Sequence, residues 1–205
     1  MKRAFDILFS LLGLVALMPF LVFVGLALLL TSGRPVFFSQ ERVGLGGRPF
    51  RLLKFRTMTR LNGAEAGLFE PGSRSRVTPV GRVLRAWKID ELPQLWNVVK
   101  GEMSFVGPRP EIRKWVDAFP GRWRKVLSVR PGITDPASLV YRDEEDLLAA
   151  SPNPEMTYRD VILPHKLTLY EDYVDRRTFL GDLLIILETL GRIVVRSEPA
   201  ISLER

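Results

Sequence analysis

The chain has 205 residues, a net charge of +7 and a pI near 10.0, and much of its 46% hydrophobic content lies ahead of Leu30. It holds no cysteine and a single histidine, His165, which excludes a disulfide framework, thiolate chemistry and a multi-histidine metal centre. The size suits one globular domain plus an anchor, and the basic balance suits phosphate-rich partners such as nucleic acid, anionic headgroups or nucleotides. His165 reads as a partly exposed helix or loop residue.

Ile7 to Leu30 is a run of 24 uncharged residues. As a straight helix it would be about 36 Å long, enough for a bilayer core of about 30 Å. Pro19 sits near its centre and removes the backbone bond to the carbonyl of Val15. Both flanks are basic, with Lys2 and Arg3 before the run and Arg34, Arg42, Arg48, Arg51, Lys54 and Arg56 after it. Positive residues favour the cytoplasmic side, so a spanning helix puts one flank on the wrong side. A helix that breaks at Pro19 and leaves by the face it entered satisfies both flanks. The residues alone leave span and re-entrant turn open.

Pro35 to Phe38 and Phe50 to Phe55 read as short extended pieces around a Gly44-Leu45-Gly46-Gly47 turn. Arg60 to Arg82, rich in Gly, Ser, Pro and charge, reads as a loop. A helix is predicted from about Ile89 to Lys100, with Leu92, Leu95, Trp96 and Val99 on one face. Pro93 is tolerable only in its first turn, and Lys100-Gly101 is a stop signal. Leu147 to Asn153 reads as a loop and Leu163 to Tyr173 as a helix. Phe179 to Val195 is a second apolar helix, with Arg176, Arg177, Arg192 and Arg196 at its ends, suited to a core or to a membrane surface.

The chemistry concentrates between Lys88 and Pro110. Asp90 and Glu91 stand together at a helix start, where acids also complement the helix dipole. Neighbours on a helix point about 100° apart, so the two carboxylates would do different jobs. Asp90 could meet a hard cation such as Mg²⁺, or act as a nucleophile towards phosphorus. Arg85 precedes the pair. Arg109, between two prolines, is suited to a fixed grip on a phosphate or to pairing with a structural carboxylate. Arg130 repeats that arrangement before Pro131-Gly132, and Lys54 and Arg56 add cations after the anchor. No P-loop, helix-turn-helix or aromatic-basic RNA motif is present.

Taken in order, these residues resemble the bacterial sugar transferase family, the small monotopic phosphoglycosyl transferases. The resemblance runs from Lys2 to about Val195. It covers Lys2-Arg3-Ala4-Phe5-Asp6, the apolar run with its proline, Val36 to Gly44, Phe50 to Met58, the Asp90 to Pro110 block with its Gly-Pro-Arg-Pro, and Arg130-Pro131-Gly132-Ile133-Thr134. It implies a helix-rich α/β domain over residues 34–205, fused to a re-entrant membrane helix over 1–33 that breaks at Pro19, with interfacial amphipathic helices. It implies an enzyme at the cytoplasmic face of the bacterial plasma membrane, with both termini cytoplasmic. The implied reaction moves a sugar phosphate from a UDP-sugar to polyprenol (undecaprenyl) phosphate and releases UMP.

By the same likeness Asp90 is the nucleophile and Mg²⁺ ligand, and Glu91 completes the dyad. Arg85 and Arg109 match the family's phosphate-side arginines, and Arg130 and Lys54 are expected beside them on their own chemistry, with headgroup contact as the alternative for Lys54. Membrane phospholipids are further partners, nucleic acid is not one, and a homo-oligomer is left open. Two departures stand out: Met18-Pro19 where many members carry Ser-Pro, and Asp135-Pro136-Ala137-Ser138 where Gly-Trp-Ala-Gln is common. A serine hydroxyl at the break would satisfy a freed carbonyl, a task that falls here to Ser10 or water. Two alternatives are a transferase whose acids only hold metal, and a non-catalytic basic protein binding lipid or nucleic acid at a membrane.

Overall fold

The computed structural model describes residues 1–59 and 76–194. Helix α1 spans Lys2–Ser32 and ends at Gly33, whose φ of 71° is a glycine conformation. The helix runs through Pro19, so the interruption expected there is not a break in helical structure. Ser10 is fully buried, and its hydroxyl makes no hydrogen bond with a described residue, so it does not take up the carbonyl freed by the proline. Among the described residues α1 is the one helix long and apolar enough to cross a membrane.

Both ends of α1 are fastened to the rest of the chain. At its start, Arg3 donates to the carbonyls of Val98 (2.7 Å), Val99 (3.2 Å) and Met103 (3.3 Å). Asp6 accepts from the Ser104 hydroxyl at 2.8 Å and the Phe105 N–H at 3.3 Å. Lys2 donates to the Val106 carbonyl at 2.9 Å and pairs with Asp182. At the other end Arg56 donates to the carbonyls of Ser32, Gly33 and Arg34. Val24 and Leu28 pack there with Phe55 and Leu84.

Strands β1 (Phe37–Val43) and β2 (Pro49–Phe55) form an antiparallel hairpin across the predicted glycine turn. Alternation along β2 puts Phe50, Leu52 and Lys54 on one face, and the first two are core residues. Helix α2 (Pro79–Ala86) follows. Thr78 accepts from the Gly81 N–H at 2.9 Å and Pro79 opens the first turn, so 79–82 are helix rather than the expected loop. The Thr-Pro start signal carried that information. Residues 76–78 of that expected loop are non-helical, with Val77 bridging Met58, and residues 60–75 lie outside the described residues.

Helix α3 (Gln94–Lys100) sits between α1 and β2. Asn97, fully buried, donates to the Arg51 carbonyl at 2.7 Å and to Glu102 at 2.6 Å, and accepts from the Leu53 N–H at 3.0 Å. Its amide therefore bolts the helix to the strand. Asn97→Ala strands those groups in the interior and should cost about 2–3 kcal/mol, measurable as a lower Tm in detergent. An unchanged Tm would show that the bolt carries no stability.

Strands β3 (Ser104–Val106) and β4 (Gly132–Thr134) pair in parallel. Between them come α4 (Arg113–Ala118) and α5 (Pro120–Val126). After them come α6 (Pro136–Val140), α7 (Glu144–Ala149), α8 (Pro154–Thr157), a π turn (Tyr158–Ile162) and α9 (Leu163–Arg176). Helix α7 takes the first part of the loop expected from Leu147, its first turn being acidic. The main core gathers Trp115, Trp123, Tyr158, Leu167 and Tyr170.

Helix α10 (Phe179–Val194) is two-sided: Asp182 is buried, whereas Leu180, Leu184 and Leu187 are more than half exposed. The helix is therefore not a core element. Val195 and Arg196 lie outside the described residues. The result is a helix-rich α/β arrangement with two two-stranded sheets among the described residues.

Candidate active site

After α2 the chain turns through Trp87 and Lys88 into a single 3₁₀ turn, Ile89–Glu91, which carries both carboxylates. Lys88, at φ 55°, is the one non-glycine residue with positive φ among the described residues. Leu92 and Pro93 continue right-handed into α3, so the predicted helix is a 3₁₀ turn followed by α3. Its buried face holds Gln94, Leu95, Asn97 and Val98, while Trp96, expected inside, is half exposed. The difference arises because α3 is sandwiched, with Leu95 against Gly13 of α1 and Asn97 on β2.

Glu91 is saturated with positive charge. Its Oε1 accepts from Lys54 Nζ at 2.7 Å and from Arg109 Nη2 at 2.6 Å. Burial would raise its pKa, but Arg109 and Lys54 outweigh it and hold the carboxyl well below its usual range. Asp90 is the opposite case. Burial is the largest influence and pushes its pKa up, with Lys54 only partly offsetting it. Its Oδ1 is buried without a hydrogen-bond partner among the described residues. One carboxylate is thus locked as a charge partner, and its neighbour keeps an uncommitted oxygen.

Arg109 is delivered by the β3–β4 pair. A Cβ on Gly132 would lie 2.2 Å from the backbone nitrogen of Gly107, and one on Gly107 would lie 2.3 Å from the carbonyl oxygen of Arg130. Only glycines permit that approach, which holds Pro108-Arg109-Pro110 beside the dyad. Arg85 lies nearby, with Nε on the Thr57 hydroxyl at 2.9 Å and Nη1 on both oxygens of Glu145 at 2.9 and 3.0 Å. Its charge also acts on Asp90.

Of the residues expected here, Asp90, Glu91, Lys54, Arg109 and Arg85 come together. Arg130 does not: its Nε donates to the Gly101 carbonyl at 2.9 Å, capping the far end of α3. Arg56 is spent on the end of α1. Asp135 is fully buried and begins α6, accepting from the Ser138 N–H at 2.9 Å with Pro136 next in line. The Asp-Pro-Ala-Ser departure is therefore a helix start. His165, exposed, meets the Tyr141 hydroxyl at 2.7 Å.

Thr57 and Glu145, the partners of Arg85, were not legible in advance, Glu145 being 60 residues from it. Lys54 had a signal: a lysine on the core face of β2 requires a buried carboxylate partner. No group of three or more His, Cys, Asp or Glu is assembled among the described residues, as an all-protein metal cage would need. Mg²⁺, however, takes one or two carboxylates and completes its shell with water and substrate phosphate. The free oxygen of Asp90 fits that demand.

A long apolar helix, tied at both ends to the domain that carries the dyad, and a carboxylate pair set among cations are features suited to a transferase of phosphate-bearing substrates at a membrane. The chain belongs to the bacterial sugar transferase family, whose pattern matches residues 1–196. It is 36% identical over 193 residues to a UDP-glucose:undecaprenyl-phosphate glucose-1-phosphate transferase of Caulobacter vibrioides, covering 92% of this chain and 68% of that one. It is 34% identical to the Bacillus subtilis sugar transferase EpsL, covering 95% of this chain and 88% of the relative. A UDP-N-acetylgalactosamine-undecaprenyl-phosphate N-acetylgalactosaminephosphotransferase of Aeromonas hydrophila shares 41% identity, over 68% of this chain but 34% of its own.

Proposed function

We propose that this protein transfers a sugar phosphate from a UDP-sugar to undecaprenyl phosphate through a covalent intermediate on Asp90. The observation that carries the reading is the contrast within the dyad: Glu91 paired with two cations, Asp90 buried with Oδ1 unpartnered. An Asp90 oxygen attacks the phosphorus bearing the sugar. The bond from that phosphorus to the bridging oxygen of the diphosphate breaks, and UMP leaves with the electron pair. A phosphate oxygen of the lipid then attacks the same phosphorus, the acyl-phosphate bond breaks, and Asp90 is regenerated as a carboxylate.

Lys54 and Arg109, fixed on Glu91, and Arg85 supply positive charge where two anionic substrates must meet. Asp90 would hold Mg²⁺, which when bound supplies charge neutralisation to the phosphates. Incubation with a panel of UDP-sugars and undecaprenyl phosphate should release UMP. A UDP-sugar labelled in the phosphate next to the sugar should label the protein when the lipid is withheld. Absence of both signals would remove the reading in favour of a non-catalytic binding protein.

The site is placed at the cytoplasmic face by its soluble, anionic nucleotide substrate. Attachment of both ends of α1 to one domain favours a helix that does not cross the bilayer, held at that face without a break at Pro19 and with both termini there. The exposed apolar side chains of α1, Val15, Phe23 and Leu30 among them, and those of α10 would meet lipid. A cysteine added ahead of Met1 should be protected, in intact cells, from a membrane-impermeant thiol reagent. Labelling there would mean that α1 spans the bilayer.

A further inference from the structure

Among the described residues, the cations that act most on the dyad are Lys54, Arg85, Lys88 and Arg109. Lys54 and Arg109 are bound to Glu91, and Arg85 is bound to Glu145. A phosphate arriving at any of these three must share it with a carboxylate. Lys88 differs. It is exposed, and its ammonium forms neither a hydrogen bond nor an ion pair with any described residue. It is also held at φ 55° and ψ 19°, immediately before the turn that carries Asp90 and Glu91.

That backbone conformation is strained for a residue with a Cβ and natural for glycine, with asparagine next. Lysine therefore adds nothing to the turn that glycine would not provide better. What the side chain adds is an uncommitted positive charge one residue ahead of the dyad's own turn. Left-handed backbone in a non-glycine residue at such a place is a mark of a functional constraint.

We infer that the Lys88 ammonium binds a substrate phosphate at the Asp90–Glu91 site, as the one cation there, among the described residues, that no described carboxylate already holds. The inference deepens the transferase reading and rests on it for the identity of the substrates. The phosphate belongs either to the nucleotide diphosphate or to the lipid, and the two are separable. Lys88 engages it without first breaking an internal ion pair, so it is the group that meets the incoming anion earliest.

The test compares the wild type with Lys88→Gly and Lys88→Arg in one detergent, measuring Kd for UDP and for a short-chain polyprenyl phosphate, together with Tm. Lys88→Gly should bind one of the two about tenfold more weakly, a change of about 1.4 kcal/mol, with Tm equal to or above the wild type. Lys88→Arg should retain most of the affinity. Loss confined to UDP assigns the contact to the nucleotide, and loss confined to the polyprenyl phosphate assigns it to the lipid. Both affinities within twofold of wild type, a Tm that falls with the affinity, or an Arg variant as weak as the Gly variant would each overturn the inference. Failure of the wild type to release UMP, with the binding differences intact, would instead remove the transferase reading and leave the phosphate contact standing.

Discussion

Asp90→Asn should lower UMP release by at least about 10³-fold, equivalent to about 4 kcal/mol in the barrier, while Tm stays level or rises. The two halves of that result have one origin. Burial raises the pKa of Asp90, so the ionised carboxylate is held in place at a cost to the fold. The nearly isosteric amide carries no charge and escapes that cost. It is also a far poorer nucleophile towards phosphorus and a poorer ligand for a hard cation. Activity and stability thus move in opposite directions, as expected where a site holds a destabilised group. A well-folded variant that still releases UMP at a near-normal rate would sink the nucleophile assignment. A variant that turns over slowly with no labelled intermediate in the wild type would favour acids that only hold metal.

Glu91→Gln should give the largest loss of stability. Glu91 is a side chain only 10% exposed that accepts from two cations, Lys54 at 21% and Arg109 at 29% exposed. Gln keeps an acceptor oxygen but offers no charge, so two largely desolvated cations remain together without a counter-ion. Breaking a buried pair in this way costs about 3–5 kcal/mol, and partial exposure of both cations favours the lower end, about 3 kcal/mol. The linkage has a definite sign. Because the pKa of Glu91 is depressed in the folded state, its contribution is fully present above its ordinary value of 4.5 and is lost as the pH falls towards the depressed value. Thermal denaturation at neutral pH should show a lower Tm for Glu91→Gln, and adding Lys54→Gln should restore part of it. An unchanged Tm would mean that the cluster contributes no net stability.

The same pair of acids illustrates how far a sequence can be read. Their adjacency, the nearby Gly-Pro-Arg-Pro turn and the apolar segment are local facts, and each limits the chemistry available. Nothing local says which acid is paired and which is left unpaired. That is decided by Lys54 and Arg109, 37 and 18 residues from Glu91 in the chain. Arg109 and Arg130 look alike in sequence, each beside a proline and near a glycine. The β3–β4 pairing sends one to the dyad and the other to the C-terminal end of α3.

What the sequence by itself determined is what depends on short-range forces. The 24-residue uncharged run makes an apolar helix because transfer free energy adds along the chain. The glycine turn makes a hairpin, the Lys100-Gly101 stop ends α3 at Gly101, and the Thr-Pro pair at Thr78-Pro79 opens α2, a signal present but easily read as loop. Tertiary structure decided the rest. The exposed face of α3, the two-sided burial of α10, the pairing of Arg85 with Glu145 and the return of both ends of α1 to one domain all join residues far apart in the chain. Their energies depend on burial, because charge–charge attraction and desolvation both grow as water is removed. Burial is a property of the assembled chain, so the roles of Asp90 and Glu91 separate only once the fold has closed around them.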